Sequence, residues 1–324
     1  MSTAGEPVLQ VRNLETTFKT KLGPFRAVQG VSYDIKAGET LGIVGESGCG
    51  KSVTSLSLMG LVEGSGRISG GKALLNGKSL FDLPRHEMEN VRGGEMAMIF
   101  QEPMTALNPV LTIGAQIDEQ ILRHMKVSKT EAKERSIEML RLVGIPSPGD
   151  RYRSYPHQLS GGMRQRAMIA MALSCEPKFL IADEPTTALD VTIQAQILEL
   201  IQDVQERFNT SVQFITHDLG VISEISDRIM VMYGGLSCET STAAELFRNP
   251  KHPYTEALIG ARPKLGHRTD RLRTIEGSVP APHELPKGCP FQNRCPRAKS
   301  ECVDIKPPIL QITPEHSVAC HNPL

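Results

Sequence analysis

The stretch Leu41-Gly-Ile-Val-Gly45-Glu-Ser-Gly-Cys-Gly-Lys51-Ser52 decides the fold. It opens on a short apolar run of strand type. It continues as G-x-x-x-x-G-K followed by Ser, and a helical pattern comes next. The spacing has a chemical cause. Glycines let successive backbone N–H groups turn inward around phosphate oxygens with no side chain in the way. Lys51 adds a point charge for β and γ oxygens, the Ser52 hydroxyl is a ligand for Mg2+, and the following helix presents its positive end. Gly45, Glu46, Ser47, Gly48, Cys49, Gly50, Lys51 and Ser52 are the candidate phosphate cradle.

Short apolar runs recur at Met96–Phe100, Phe179–Ala182, Val212–Thr216 and Arg228–Met232. Helical patterns separate them. Glu131–Val143 places Ile137, Leu140 and Val143 on one face, and Val191–Phe208 places Ile197, Leu198 and Ile201 at helical spacing. Alternation of this kind predicts an α/β fold with a largely parallel sheet. The run Phe179-Leu-Ile-Ala-Asp183-Glu184 ends in two carboxylates, at the strand edge where ligands bind in such sheets. Asp183 is the candidate Mg2+ partner, and Glu184 can polarise an attacking water.

Leu159-Ser160-Gly161-Gly162-Met163 precedes a helical pattern over Arg164–Ser174. Ser160 is a good N-cap, and the glycines bare the first backbone N–H groups. This is a second anion site in one chain. A single nucleotide cannot easily use both, so the pattern suggests two chains sharing each ATP.

Composition narrows the class. The chain has 324 residues, room for about two domains. Hydrophobic residues make up 40% and charged residues 22%, values of an ordinary globular chain. Lys+Arg and Asp+Glu both number 36, so the chain lacks the basic excess of a nucleic-acid binder. No apolar run reaches the roughly 18 residues of a membrane helix, and the start has neither the basic flank nor the apolar core of a signal peptide. A cytosolic protein, in which disulfides are rare, is expected.

The order of Gly45–Ser52, Gln101, Leu159–Met163, Phe179–Glu184, Ala188-Leu189-Asp190 and His217 resembles an ABC-transporter ATPase subunit over about residues 7–245. The resemblance implies a P-loop nucleotide-binding domain, a mixed sheet core plus a helical subdomain over about 102–170. It implies that Gln101 reaches Mg2+ and the attacking water, and that Asp190 belongs to a loop reading the opposite subunit. His217, 33 positions after Glu184, would be the switch that contacts the γ-phosphate. Phe18 would stack on adenine, with Phe25 the alternative. A DNA-maintenance ATPase with the same cassette fits less well, since 109 positions separate Lys51 from Ser160 and no heptad run or second phosphate loop is present. A cassette that binds ATP but hydrolyses it poorly is a second alternative, although Glu184 and the signature are both intact.

Beyond Phe247–Pro253 the chain changes character. Nine of 22 prolines lie from Pro280 onward, which argues against regular helix or sheet there. His252-Pro-Tyr-Thr, Leu258, Arg262-Pro263, Ile275-Glu-Gly-Ser-Val-Pro280 and Gly288-Cys289-Pro290-Phe resemble the C-terminal extension of dipeptide/oligopeptide importer ATPases. Residues 1–247 are thus expected to form the ATPase domain and 248–324 a small, irregular Cys/Pro-rich extension. The resemblance implies a second ATPase subunit (a homo- or heterodimer), two transmembrane permease subunits and an extracytoplasmic solute-binding protein. It puts the chain peripherally at the cytoplasmic face of the inner or plasma membrane. Nickel and other small-solute importers share the extension. Cys289, Cys295, Cys302 and Cys320 follow the spacing C-x5-C-x6-C-x17-C, which is neither a paired CxxC zinc pattern nor a ferredoxin run. Cluster-bearing relatives point to a 4Fe–4S cluster. Zinc, with His316 or His321 replacing one thiolate, is the alternative.

Overall fold

The computed structural model describes residues 7–187, 190–261, 275–281 and 283–324. Twelve strands are found among them: β1 Pro7–Thr20, β2 Gly23–Lys36, β3 Thr40–Val44, β4 Gly66–Leu75, β5 Lys78–Ser79, β6 Met96–Ile99, β7 Phe179–Asp183, β8 Ser211–Ile215, β9 Arg228–Tyr233, β10 Leu236–Thr242, β11 Ile309–Thr313 and β12 His316–Ala319. The chain divides into two compact units. One comprises Met1–Val8, Lys36–Glu39 and Asp82–Gln213, the other Leu9–Ile35, Thr40–Phe81 and Phe214–Leu324.

In the first unit β6 and β7 run parallel, with Met96 opposite Phe179 and Ile99 opposite Ala182. Every residue of both strands is buried. That explains why they read as continuous apolar runs rather than alternating ones. The helix Gly161–Leu173 packs against β6, and the two helices Ile113–His124 and Lys129–Leu142 pack against that helix and each other. Ile113–His124 is capped by Thr112, whose side chain accepts the Ala115 N–H at 3.2 Å. Lys129–Leu142 begins in a capping box in which Ser128 and Glu131 satisfy each other's backbone N–H groups. Those bonds hold the Glu131 carboxyl below the usual range. The buried face of this helix is Ala132, Ser136, Met139 and Leu140. Ile137, expected on it, is only half-buried.

The second unit contains an antiparallel layer ordered β2-β1-β4-β5. β1 pairs with β4 from Leu9↔Leu75 to Phe18↔Gly66, with a bulge between Arg12 and Thr16. The reading of the sequence as mostly parallel sheet left this layer out. In the same unit β3 lies parallel to β9, β10 is antiparallel to β9, and β12 is antiparallel to both β10 and β11. The C-terminal region therefore does contain regular sheet, contrary to its proline density. Its prolines flank the strands, at Pro307, Pro308 and Pro314, where no ladder N–H is lost.

An aromatic knot anchors the extension within this unit. Tyr233, Tyr254 and Phe291 are each at most 1% exposed. Their ring centroids lie 4.7, 5.3 and 5.2 Å apart, in edge-on and tilted arrangements. Glu239 of β10, also buried, accepts the backbone N–H groups of Lys251 and His252 at 2.6 and 2.9 Å and meets His316 Nε2 at 2.7 Å. A fully dehydrated carboxylate needs such partners.

Candidate functional site

The loop after β3 has the shape its sequence demands. Gly50 has φ of 100°, and a Cβ there would come within 2.6 Å of the Ala27 carbonyl. No other residue fits that backbone without strain. Gly50 then caps the helix Lys51–Leu58. Lys51, 5% exposed, folds its ammonium back over the loop. Nζ donates to the carbonyls of Gly45 and Glu46 at 2.7 and 3.2 Å and lies 3.8 Å from Cys49 Sγ. The loop is further tied by Gly235, whose N–H donates to the Cys49 carbonyl at 3.0 Å. Phe18 and Phe25, proposed as alternatives, are partners: their rings stack with centroids 5.6 Å apart and 15° between planes. His217 is exposed, directly before Asp218, which caps the helix Leu219–Ile225.

Two residues far along the chain also grip this loop. The Tyr254 hydroxyl accepts the Glu46 N–H at 3.0 Å. Arg294 forks onto the Glu46 carboxylate at 2.6 and 3.0 Å, and that contact holds the guanidinium well above its ordinary range. Tyr254 lies in a segment whose resemblance was visible. Arg294, inside a polar loop, carried no local signal.

In the first unit β7 delivers Asp183, 4% exposed, and then Glu184. Glu184 has φ of 47°, a left-handed conformation that costs a non-glycine residue about 1 kcal/mol or more and that clusters at active sites. Its Oε2 accepts from Gln101 Nε2 at 3.2 Å and from Thr187 Oγ1 at 2.8 Å. Gln101 and Glu184 are thus brought into direct contact. Ser160 caps the helix Gly161–Leu173 by accepting the Met163 N–H at 3.3 Å. Ser160 and Gly161 are exposed, and nothing stands within 4 Å of where a Gly161 side chain would begin. Gln165 on this helix donates to the Pro185 carbonyl at 2.5 Å, linking the signature helix to the turn after Glu184. Asp190 is exposed and caps Val191–Phe208 through the Ile193 N–H at 2.9 Å. Ala188, Leu189, Arg262 and Pro263 lie outside the described residues.

The four C-terminal cysteines fall in one neighbourhood. Burial pushes the Cys289 thiol up to about 11, and the nearby Cys302, Cys320 and Cys295 add to the rise. Cys302 Sγ accepts the Lys299 N–H at 3.4 Å, and Cys320 Sγ accepts the Asn322 N–H at 3.3 Å. Among the described residues, however, no three or more His, Cys, Asp or Glu side chains are arranged to hold a metal ion. The two histidines considered as replacement ligands are engaged elsewhere, His316 with Glu239 and His321 with the Ile305 carbonyl at 2.9 Å.

Comparison with known proteins places these features in context. The ABC transporter family model matches residues 28–187, and the model for the oligopeptide/dipeptide transporter C-terminal region matches residues 238–302. The oligopeptide transport ATP-binding protein AppD of Bacillus subtilis is 52% identical over 97% of this chain and 96% of its own length. OppD of Escherichia coli is 48% identical over 98% of this chain and 94% of its own length. Among solved structures, the dimeric bacterial ABC transporter cassette MJ0796 superposes with a TM-score of 0.66 at 27% identity, covering 72% of this chain and 98% of that one.

Proposed function

The chain belongs to the ATP-binding subunits of oligopeptide/dipeptide ABC transporters, and from that premise we propose that it hydrolyses ATP to power import of peptides through partner permeases. The observation that carries the catalytic part is the Gln101 amide on the Glu184 carboxylate, directly after the buried Asp183. Among the described residues no helix is long and apolar enough to cross a membrane, so the translocation path lies in other subunits. The subunit acts as a peripheral partner of two permeases at the cytoplasmic membrane face and pairs with a second ATPase cassette.

Each chain residue has a definable task. Gly45–Ser52 offers backbone N–H groups to the phosphates, and Lys51 exchanges its loop carbonyls for β and γ oxygens. Ser52, Gln101 and Asp183 are an all-oxygen donor set, the kind that hard Mg2+ takes. When bound, Mg2+ neutralises phosphate charge. Glu184 orients the attacking water, Gln101 fixes that carboxylate, and His217 contacts the γ-phosphate. Ser160–Gly162 of a second cassette closes on the same nucleotide, with Asp190 at the subunit seam, and Phe18 with Phe25 forms a ring platform for adenine. Catalysis of this kind is positioning plus charge stabilisation. Residues 1–247 are read as the ATPase domain, with the helical subdomain over about 102–170, and 248–324 as the extension.

At the extension we read Cys289, Cys295, Cys302 and Cys320 as ligands of a structural 4Fe–4S cluster, with zinc the alternative. The burial of Cys289, Cys302 and Cys320, with Cys295 half-buried, and the N–H groups donated to Cys302 and Cys320 support this reading, because such bonds stabilise sulfur bearing charge. Anaerobically purified protein then carries about four iron atoms per chain. Stoichiometric zinc selects the alternative, and absence of both metals rejects a metal staple. The transport reading is tested by reconstituting the chain with its permeases. ATP turnover stimulated by peptide-loaded binding protein is expected, and stimulation by nickel but not by peptide would replace the substrate assignment.

A further inference from the structure

We propose that Arg294 is a positioning residue for nucleotide binding, which from the C-terminal extension neutralises the Glu46 carboxylate and holds the phosphate loop ready for a polyanion. The problem starts in the sequence. Glu46 is the second residue of a loop that must receive a triphosphate, and an uncompensated carboxylate there repels the ligand. The fold answers with a fork-to-fork pair, Nη1 to Oε2 at 2.6 Å and Nη2 to Oε1 at 3.0 Å. The Arg294 side chain is only 7% exposed and that of Glu46 only 26%, so solvent screens the pair weakly.

Arg294 is itself locked. Nε donates to the Glu276 carbonyl at 2.9 Å, and Nη2 also reaches the carbonyls of Ile275 and Gly277 at 3.3 Å. Nη1 also donates to the Tyr233 hydroxyl at 3.2 Å. The guanidinium cannot follow Glu46 if the loop shifts, so it acts as a fixed post. Tyr254 grips the main chain of the same residue through its N–H. That N–H is withdrawn from the set facing the phosphates, and the entry of the loop is fixed. Two side chains from beyond position 248 thus act on one residue of the cradle. A purely structural staple would hold the extension down but would not make ATP affinity depend on the Glu46 charge. Positioning does.

The inference rests on Gly45–Ser52 being the ATP phosphate loop, which Lys51→Ala tests separately. Titration calorimetry of the full-length chain with Mg-ATP measures both. Arg294→Ala is expected to weaken ATP binding about tenfold. Adding Glu46→Gln to that variant should then tighten binding again, because the bare carboxylate has gone. Arg294→Lys should fall between, having the charge without the fork. If Arg294→Ala does not fold, Arg294→Gln, which can still donate to the carbonyls, is expected to show the same weakening and the same relief. Wild-type affinity in the neutral Arg294 variant, or a double variant no tighter than the single one, overturns the proposal. Lys51→Ala with undiminished affinity overturns the phosphate-loop reading instead.

Discussion

Gln101 donates its side-chain amide to Glu184 Oε2 at 3.2 Å, joining residues 83 positions apart at one oxygen. The contact sets the direction of the carboxylate. Thr187 Oγ1 holds the same oxygen at 2.8 Å, so the orientation is fixed from two sides.

Glu184→Gln is expected to keep ATP binding and lose turnover by about 10²–10⁴-fold, the usual worth of a general base or water-positioning group. Single-turnover hydrolysis by the assembled transporter checks this. More than half of wild-type turnover would remove Glu184 from the mechanism.

Gly162→Asp tests the shared site. A Cβ at Gly162 lies 3.3 Å from Ile193 Cγ2, so Ile193 must give by a few tenths of an ångström to admit it, and a thermal melt of the variant checks that the fold is kept. Hydrolysis by the paired cassettes should fail while a single chain still binds ATP. Loss of single-chain binding would mean that Ser160–Gly162 serves its own chain's nucleotide.

Phe291→Ala removes the extension's share of the aromatic knot with Tyr233 and Tyr254. Phe291 is 1% exposed, so truncation is expected to cost about 3–5 kcal/mol, read as a lowered Tm. An unchanged Tm would show that the extension is held by its other contacts alone.

His252 gives a pH signature. Burial lowers its pKa from 6.5 to about 4, and its Nδ1 accepts the Tyr254 N–H at 3.0 Å. Below pH 6.5 the unfolded chain takes a proton that the folded chain refuses until about pH 4, so stability falls as pH drops through that window. Between pH 7 and pH 5 the loss is about 2 kcal/mol. His252→Asn keeps an acceptor at the helix cap and removes the titration. Its Tm should decline less steeply across this range, and an equal decline would assign the slope to other groups.

The parts of the site that were legible in sequence are local. The phosphate loop, the strand ending in Asp183 and the Ser160 cap each state their chemistry within about ten residues. The β2-β1-β4-β5 layer was not legible because its strands do not alternate cleanly. A bulge interrupts β1 between Arg12 and Thr16, and a core position is taken by Thr16, whose hydroxyl pairs with Ser57 Oγ at 2.7 Å. A buried threonine satisfied by a distant serine looks, in sequence, like a surface residue. The β11–β12 hairpin was hidden for the opposite reason: Ile309, Leu310 and Ile312 are apolar yet exposed, so no core face repeats. Arg294 gains its meaning only when Glu46 is placed opposite it, 248 positions away.

The ladder between β10 and β12, with Glu239 opposite Val318 and Thr240 opposite Ser317, bears on how such a gene can recombine. A crossover near codon 248 would exchange the extension but leave its sheet partner behind. Glu239 would stay with one parent and His316, which meets its buried carboxylate at 2.7 Å, would come from the other. The two residues are inherited safely only together, so the heritable module begins upstream of β10, inside what the sequence presents as the ATPase.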